Sequence, residues 1–193
     1  MMDQVTSVMI VGVGGQGSLL ASRLLGHVLL EAGYDVKVSE VHGMSQRGGS
    51  VVTYVRYGKK VASPVIEQGE ADVIVSFELC EAARWLPYLR KGGKLIASSQ
   101  RIDPMPVITG AASYPEAIPQ TFQALGVDAT VVDALALAEQ AGSAKAANVV
   151  LMGVLSQHLE FPLEAWQEAI RQLVKPAFVE MNQQALLLGR AVQ

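Results

Sequence analysis

A glycine-rich turn between an apolar strand and a helix constrains the fold of this chain more than any other feature. The run Val8-Met9-Ile10-Val11 is typical of a fully buried parallel strand. It is followed at once by Gly12-Val13-Gly14-Gly15-Gln16-Gly17. Leucines on one face then predict a helix from about Gln16 to Gly33, since glycine suits the left-handed position that ends many helices. This order of elements predicts an α/β fold.

The glycine turn has the features of an anion site. A tight turn needs positive backbone dihedrals, and a backbone that cradles an anion carries no Cβ on the contact side. The free amides at the helix start favour a phosphate or carboxylate. Gly12, Gly14 and Gly17 match the dinucleotide fingerprint, and Glu40 ends a predicted second parallel strand where a ribose-binding acid would stand. A turn that serves only helix–strand packing is the alternative.

A second glycine-rich segment follows Glu40 and argues against an ordinary dinucleotide site. Residues 41–50 read Val-His-Gly-Met-Ser-Gln-Arg-Gly-Gly-Ser. They leave the carboxyl end of a strand, so we expect them beside the first turn, where ligands bind in open α/β sheets. Two glycine turns and Arg47 at one edge predict an anion-binding surface, with an anion-binding or interface role for Arg47. Glu40 could pair with Arg47 or bind a ribose hydroxyl.

The two motifs together resemble those of gamma-type subunits of 2-oxoacid:ferredoxin oxidoreductases. GVGGQG is followed by EVHGMSQRGGSV, and the residues just before the arginine are most similar to the indolepyruvate branch of that family. The similarity continues through residues 63–66, 69–72 and 148–153, so it covers nearly the whole chain. The candidate binding residues are Gly12, Gly14, Gly15, Gln16, Gly17, Glu40, Arg47, Gly48, Gly49 and Ser50. No catalytic residue and no metal ligand is predicted.

The resemblance implies a non-cofactor subunit of a thiamine-dependent enzyme. Such an enzyme converts a 2-oxo acid, here an arylpyruvate such as indolepyruvate, and coenzyme A into an acyl-CoA, carbon dioxide and reduced ferredoxin. Thiamine diphosphate, Mg²⁺ and iron–sulfur clusters would belong to a large (alpha) partner subunit. The phosphates of coenzyme A would bind at Gly14 to Gly17 and Arg47, at the subunit interface. A pyruvate, 2-oxoglutarate or branched-chain enzyme, or a stand-alone dinucleotide-binding protein, remains an alternative.

Composition narrows the class of protein. At 193 residues the chain is expected to form a single domain, residues 1–193. Cys80 is the one cysteine, whereas a cluster needs about four thiolates, and a disulfide-free chain suits the cytoplasm. The scattered basic residues and net charge of −3 argue against nucleic acid. No apolar run approaches the roughly 20 residues of a membrane span. Half the residues are hydrophobic, which predicts a partner-covered surface and self-association of the isolated chain.

The elements together predict a three-layer Rossmann-like fold. Its sheet is mixed but mostly parallel, with a β-hairpin after the second strand and a C-terminal helical flank. The hairpin is expected to pair residues 50–57 with residues 61–66. Further strands are expected at residues 72–76, 94–98, 106–109 and 129–132. Helices are expected from residue 78, near 114–125, at 134–141 with Asp133 as its cap, and through to the C-terminus.

The cofactor inventory generates a test on the isolated chain. Because one cysteine cannot hold a cluster, the purified chain should show no visible absorbance from a cluster or a flavin. It should also fail to oxidise indolepyruvate, which an enzyme assay with an artificial electron acceptor would measure. Turnover by this chain alone would contradict the proposed division of labour.

Overall fold

The structure, a computed structural model, describes residues 5–42 and 48–192. Its strands are β1 (Thr6–Val13), β2 (Asp35–His42), β3 (Ser50–Gly58), β4 (Ala71–Ser76), β5 (Leu89–Ser98) and β6 (Asp128–Val132). Its helices are α1 (Ser18–Glu31), α2 (Leu79–Trp85), α3 (Met105–Ile108), α4 (Ile118–Ala124), α5 (Ala134–Ala141), α6 (Ala147–Leu155), α7 (Leu163–Leu173) and α8 (Val179–Arg190). Within these residues, no helix is long and apolar enough to cross a membrane.

The six strands form one mixed sheet in the order β2-β3-β1-β4-β5-β6. The pairs β1–β4, β4–β5 and β5–β6 are parallel. Strand β3 is antiparallel to both of its neighbours, β1 and β2. The predicted α/β fold with a mixed, mostly parallel sheet is therefore confirmed. Strand β2 does run in the direction of β1, as predicted, but β3 separates the two.

Helices cover both faces of the sheet, and β1 is buried on both sides. Val8 and Ile10 belong to the core on the face of α1, α5, α6, α7 and α8. Met9 and Val11 belong to the core on the opposite face, with α2 and α4. All four side chains are 0% exposed. Burial on both faces explains why the strand is a continuous apolar run rather than an alternating pattern.

Helices α6 and α8 of the C-terminal flank cross in direct backbone contact. A Cβ on Gly153 would lie 2.2 Å from the Leu186 carbonyl oxygen, and one on Gly189 would lie 2.0 Å from that of Val150. Only glycine permits such an approach without moving a helix. The pair therefore fixes the distance between α6, whose residues are all buried apart from half-buried Ala147, and the last helix of the described chain.

The predicted return arm of the hairpin, residues 61–66, is wrong. The antiparallel partner of β3 is β2, and residues 61–66 are irregular. Side chains rather than a strand ladder satisfy their backbone groups: Arg56 Nη1 donates to the Val65 carbonyl (2.8 Å), and the Val61 amide donates to Asp35 Oδ2 (2.8 Å). Pro64, which has no amide hydrogen, is compatible with this arrangement.

Three other elements differ from the sequence prediction, one in its type and two in where they begin. The strand predicted at residues 106–109 is helix α3, because Pro106 lies in its first turn, where proline's fixed φ is favourable. Strand β5 begins at Leu89 rather than at residue 94, with a register irregularity opposite Ala71. Helix α4 begins only at Ile118, since Tyr114 is held by a hydrogen bond to Glu78 instead.

The close contact of α6 and α8 generates a test of stability with an internal control. Gly153→Ala forces a Cβ into the Leu186 carbonyl and should lower the free energy of unfolding by about 1–3 kcal/mol. Gly26→Ala in α1 should instead raise it by about 0.4–1 kcal/mol, because its Cβ meets no atom within 4 Å. Urea denaturation of both variants measures the difference. Equal stabilities would show that the two helices can separate at no cost.

Candidate functional site

Gly17 joins the glycine turn to helix α1 and requires glycine for two reasons. Its φ of 87° is left-handed, and a Cβ there would lie 2.4 Å from Asn148 Nδ2. The Asn148 amide donates to the Gly17 carbonyl (3.1 Å), which ties α6 to the start of α1. Gly17 offers no side-chain cap to α1, so the first two amides of that helix, those of Ser18 and Leu19, have no acceptor among the described residues. They are available to an anion.

Gln16 holds the turn in shape. Its Oε1 accepts from the Val13 amide (2.7 Å), and its Nε2 donates to the Phe77 carbonyl (2.8 Å) and to Gln100 Oε1 (3.0 Å). These contacts link the ends of β1, β4 and β5. A Cβ on Gly12 would lie 2.8 Å from Gln16 Oε1, which explains the first glycine of the motif. Gln16 was predicted as a binding residue, and its amide group braces the turn.

The two glycine motifs are joined directly by their backbones. The Gly14 amide donates to the Gly49 carbonyl (2.8 Å), and the Gly48 amide donates to the Gly14 carbonyl (3.2 Å). The prediction that the second motif lies beside the first turn is therefore confirmed for Gly48, Gly49 and Ser50. Arg47 lies outside the described residues, so its role stays a prediction.

A first cleft of about 460 Å³ opens at the glycine turn. It lies where helices α1 and α6 both begin, and Lys145 is its charged lining residue; none of the described residues that line it is acidic. Helix N-termini and a lysine favour a negative ligand. Its lining residues are Gly15, Gln16, Gly17, Phe77, Ser98, Gln100, Leu135, Ala144, Lys145, Ala147, Asn148 and Leu151.

A second cleft of about 600 Å³ opens beside Val13 and the second glycine motif. Gly48, Gly49 and Ser50 line it, together with acidic and apolar residues that include Glu78, Glu81, Asp103, Met105 and Ile108. Arg84 also lines it and pairs with Glu81 at 3.0 Å. The carboxylates make this cleft less suited to phosphate than the first. Six of the predicted binding residues thus line two clefts of different chemistry, residues 15–17 the first and residues 48–50 the second.

Glu78, which the sequence did not single out, organises the wall of the second cleft. It is 1% exposed and caps α2 by accepting from the Glu81 amide (2.8 Å). It also accepts from the Ile102 amide (3.2 Å) and from the Tyr114 hydroxyl. Burial and this contact raise the pKa of Tyr114. Burial, and then the charge of Glu78, also raise the pKa of Cys80, so its thiol stays protonated at neutral pH.

Glu40 lies away from the glycine turn. It accepts a hydrogen bond from Ser22 Oγ of α1 (3.2 Å) and lines a shallow groove with Leu19 and Leu30. Because β3 separates β2 from β1, Glu40 is two strand spacings, about 9–10 Å, from the strand that carries the turn. A dinucleotide site requires the acidic residue and the glycine turn to lie together. The structure keeps Glu40 apart from the turn.

Comparison with known proteins gives this geometry a family. The model for "Pyruvate ferredoxin/flavodoxin oxidoreductase" matches residues 7–192. The chain belongs to this family. It is 46% identical to the indolepyruvate oxidoreductase subunit IorB of Thermococcus kodakarensis, over 95% of this chain and 93% of that protein. The subunit of the same name from Archaeoglobus fulgidus is 40% identical over 95% of this chain and 92% of that protein.

Solved structures share the fold. The gamma subunit of a keto/oxoacid ferredoxin oxidoreductase from Geobacter sulfurreducens superposes with a TM-score of 0.71 at 21% identity, covering 95% of each chain. A 2-oxoglutarate:ferredoxin oxidoreductase from Magnetococcus marinus gives a TM-score of 0.76 at 18% identity, covering 99% of this chain and 31% of that chain. The resemblance drawn from the two glycine motifs is confirmed.

The contacts of Gln16 generate a test of the turn. In Gln16→Glu, an oxygen replaces the Nε2 donor and faces the Phe77 carbonyl and Gln100 Oε1, so two hydrogen bonds are lost. We expect the free energy of unfolding to fall by about 1–3 kcal/mol. The control, Gln140→Glu at an exposed position of α5, adds the same charge and should change it by less than about 0.5 kcal/mol. Thermal denaturation of both variants would decide, and matching midpoints would contradict the bracing role.

Proposed function

We propose that this chain is the small subunit of an indolepyruvate ferredoxin oxidoreductase. The complex would convert an arylpyruvate and coenzyme A into an acyl-CoA and carbon dioxide, passing two electrons to ferredoxin. The observation that carries this proposal is the 46% identity with the Thermococcus kodakarensis subunit over 95% of the chain. Identity with a ketoisovalerate oxidoreductase subunit of Methanothermobacter marburgensis is only 28%, over 77% of the chain. This contrast favours the indolepyruvate branch over the branched-chain one.

The reaction centre of this complex would lie on a larger alpha subunit. A chain with one cysteine has too few thiolates for a cluster, which supports placing the iron–sulfur clusters on the partner. Thiamine diphosphate with its Mg²⁺ would be bound there too, and it supplies the carbanion chemistry of decarboxylation. This chain would then serve to bind and orient a substrate.

We assign the phosphates of coenzyme A to the first cleft. The amides at the start of α1, the dipoles of α1 and α6, and Lys145 all favour an anion there, and no described lining residue opposes it. The Magnetococcus marinus enzyme, whose fold contains this one, is described with coenzyme A bound. A volume of about 460 Å³ holds only part of so long a ligand. The rest would extend beyond this chain toward the partner, as expected of an interface site.

A stand-alone dinucleotide-binding function is less well supported. Its ribose-binding acid would have to be Glu40. That residue lies on β2, which β3 separates from the strand that carries the turn, and it accepts a hydrogen bond from Ser22 Oγ. The only remaining support for a dinucleotide site is then the spacing of the three glycines of the turn. Packing alone explains why two of them are glycine, because a Cβ on Gly12 would collide with Gln16 and one on Gly17 with Asn148.

Substitution of the two cations of the proposed site tests the assignment in the assembled enzyme. Arg47→Ala should raise the KM for coenzyme A roughly ten- to hundredfold, as the loss of a charge-assisted phosphate contact predicts. Lys145→Ala, at an exposed position, should raise it by up to roughly fivefold. The KM for indolepyruvate should change little, because that substrate would bind mainly on the partner. Steady-state kinetics with each substrate varied in turn gives both constants.

The matched control is Lys175→Ala, since Lys175 is exposed before α8 and does not line either cleft. Its KM for coenzyme A should equal that of the unmodified enzyme. An unchanged KM in both Arg47→Ala and Lys145→Ala, with the complex intact on a sizing column, would contradict coenzyme A binding at this turn. Separation of the subunits in Arg47→Ala would assign that residue to the interface instead.

A further inference from the structure

A buried carboxylate on α2 contacts Ser50, the last residue of the second glycine motif. Glu81 is 5% exposed. Its Oε2 accepts from Ser50 Oγ and from Trp85 Nε1 (3.3 Å), and its Oε1 accepts from Arg84 Nε (3.0 Å). Three donors thus converge on one side chain. Burying a charge is costly unless it is fully hydrogen-bonded, so this arrangement goes beyond filling space.

Ser50 is the point where the glycine motif enters the sheet. It is the first residue of β3 and pairs in register with Val13, the last residue of β1. Its hydroxyl bonds Glu81, so α2 and β1 both fix its position. Gly48 and Gly49 precede it directly and have no side chains with which to pack. Glycine also has the largest conformational freedom to lose, so an ordered glycine segment needs a tether from outside.

A continuous chain of contacts runs from α2 to the glycine turn. It passes from Glu81 to Ser50 by a side-chain hydrogen bond and along the backbone to Gly49 and Gly48. It ends at the backbone of Gly14, whose amide donates to the Gly49 carbonyl and whose carbonyl accepts from the Gly48 amide. Whatever holds Ser50 therefore also holds the second motif against the first.

We propose that Glu81 is a positioning residue of the coenzyme A site. Through Ser50 it holds Gly48 and Gly49 against Gly14, and Arg84 and Trp85 orient its carboxylate. The inference rests on the proposed function, in which the phosphates of coenzyme A bind in the first cleft, at the glycine turn that Gly48 and Gly49 contact. It assigns to the second cleft a supporting role, since the residues that line it shape the neighbouring site.

A merely structural role for Glu81 makes a different prediction. Glu81 lies in the first turn of α2, where a negative charge favours the helix dipole, and it pairs with Arg84 three residues on. If stabilising α2 were its only task, its loss would lower the melting temperature and leave the KM for coenzyme A unchanged. Ser50 substitutions would then have no effect on that constant at all.

The test uses the assembled enzyme with Ser50→Ala, Glu81→Met and both together. Methionine fills a similar volume but accepts no strong hydrogen bond. We expect each single variant to raise the KM for coenzyme A roughly tenfold, with kcat and the KM for the oxo acid changing less than about twofold. The KM for coenzyme A in the double variant should be no higher than in the worse single variant, because both substitutions remove the same hydrogen bond between Ser50 and Glu81. Glu81→Gln keeps an amide oxygen for Ser50 to donate to, so it should restore most of the affinity.

Amide hydrogen exchange supplies a readout that needs no ligand. The amides of Gly14 and Gly48 donate across the contact between the motifs, so they should exchange faster in Ser50→Ala and Glu81→Met. Glu139→Gln removes an exposed carboxylate on α5, on the opposite face of the sheet, and should leave both rates and both KM values unchanged. Ser50 is itself exposed, so Ser50→Ala should fold even if Glu81→Met does not.

The two proposals fail in distinguishable ways. Wild-type exchange rates at Gly14 and Gly48 in both single variants would overturn the positioning role. It would also be overturned if the increases in the KM for coenzyme A that the two single substitutions cause multiplied in the double variant. If coenzyme A left the exchange of residues 15–19 unchanged in the wild-type enzyme, the coenzyme A assignment would fail. Faster exchange in Glu81→Met would in that case still support the tether between α2 and the glycine motif.

Discussion

The two backbone hydrogen bonds of Gly14 hold the functional edge of this protein together. One comes from its amide to Gly49 and the other from the Gly48 amide to its carbonyl. Because both are backbone contacts, they need no particular side chain, but they do need the two segments to approach without Cβ atoms between them. Strand β3 makes the approach possible, because its antiparallel pairing with β1 places Ser50, its first residue, opposite Val13. The contact thus joins residues 48 and 49, which line the second cleft, to the turn whose residues 15–17 line the first.

Polar side chains from distant parts of the chain stabilise the irregular segments around this contact. Gln16 satisfies the end of β1 and the segment after β4, Asn148 satisfies the Gly17 carbonyl, and Glu78 satisfies the amides of Glu81 and Ile102. Backbone polar groups that leave a sheet or helix must find partners elsewhere if they are buried. A glycine-rich edge has many such groups, and the structure meets the need with a few buried amide and carboxylate side chains.

Local pattern was sufficient to predict most of the regular structure. The apolar run of β1, the leucine face of α1 and the Asp133 cap, which accepts from the Ala136 amide, each depend on residues a few positions apart. The failures involve partners that only tertiary structure brings together. Residues 61–66 have a strand-like composition, yet Arg56 and Asp35 bind their backbone. For the candidate site, the adjacency of the two motifs was predictable because each follows the carboxyl end of a strand, whereas Lys145, Gln100 and Glu81 carried no local signal.

The central position of β1 has a consequence for how the chain folds during synthesis. The most apolar strand of the sheet emerges first, yet its hydrogen-bonding partners are β3 and β4, at residues 50–58 and 71–76. Until those residues leave the ribosome, Val8 to Val13 has no strand to pair with, and such segments are prone to aggregate. The burial of β1 within the sheet therefore waits until Ser76 has been synthesised, and the segment favours chaperone binding during that interval.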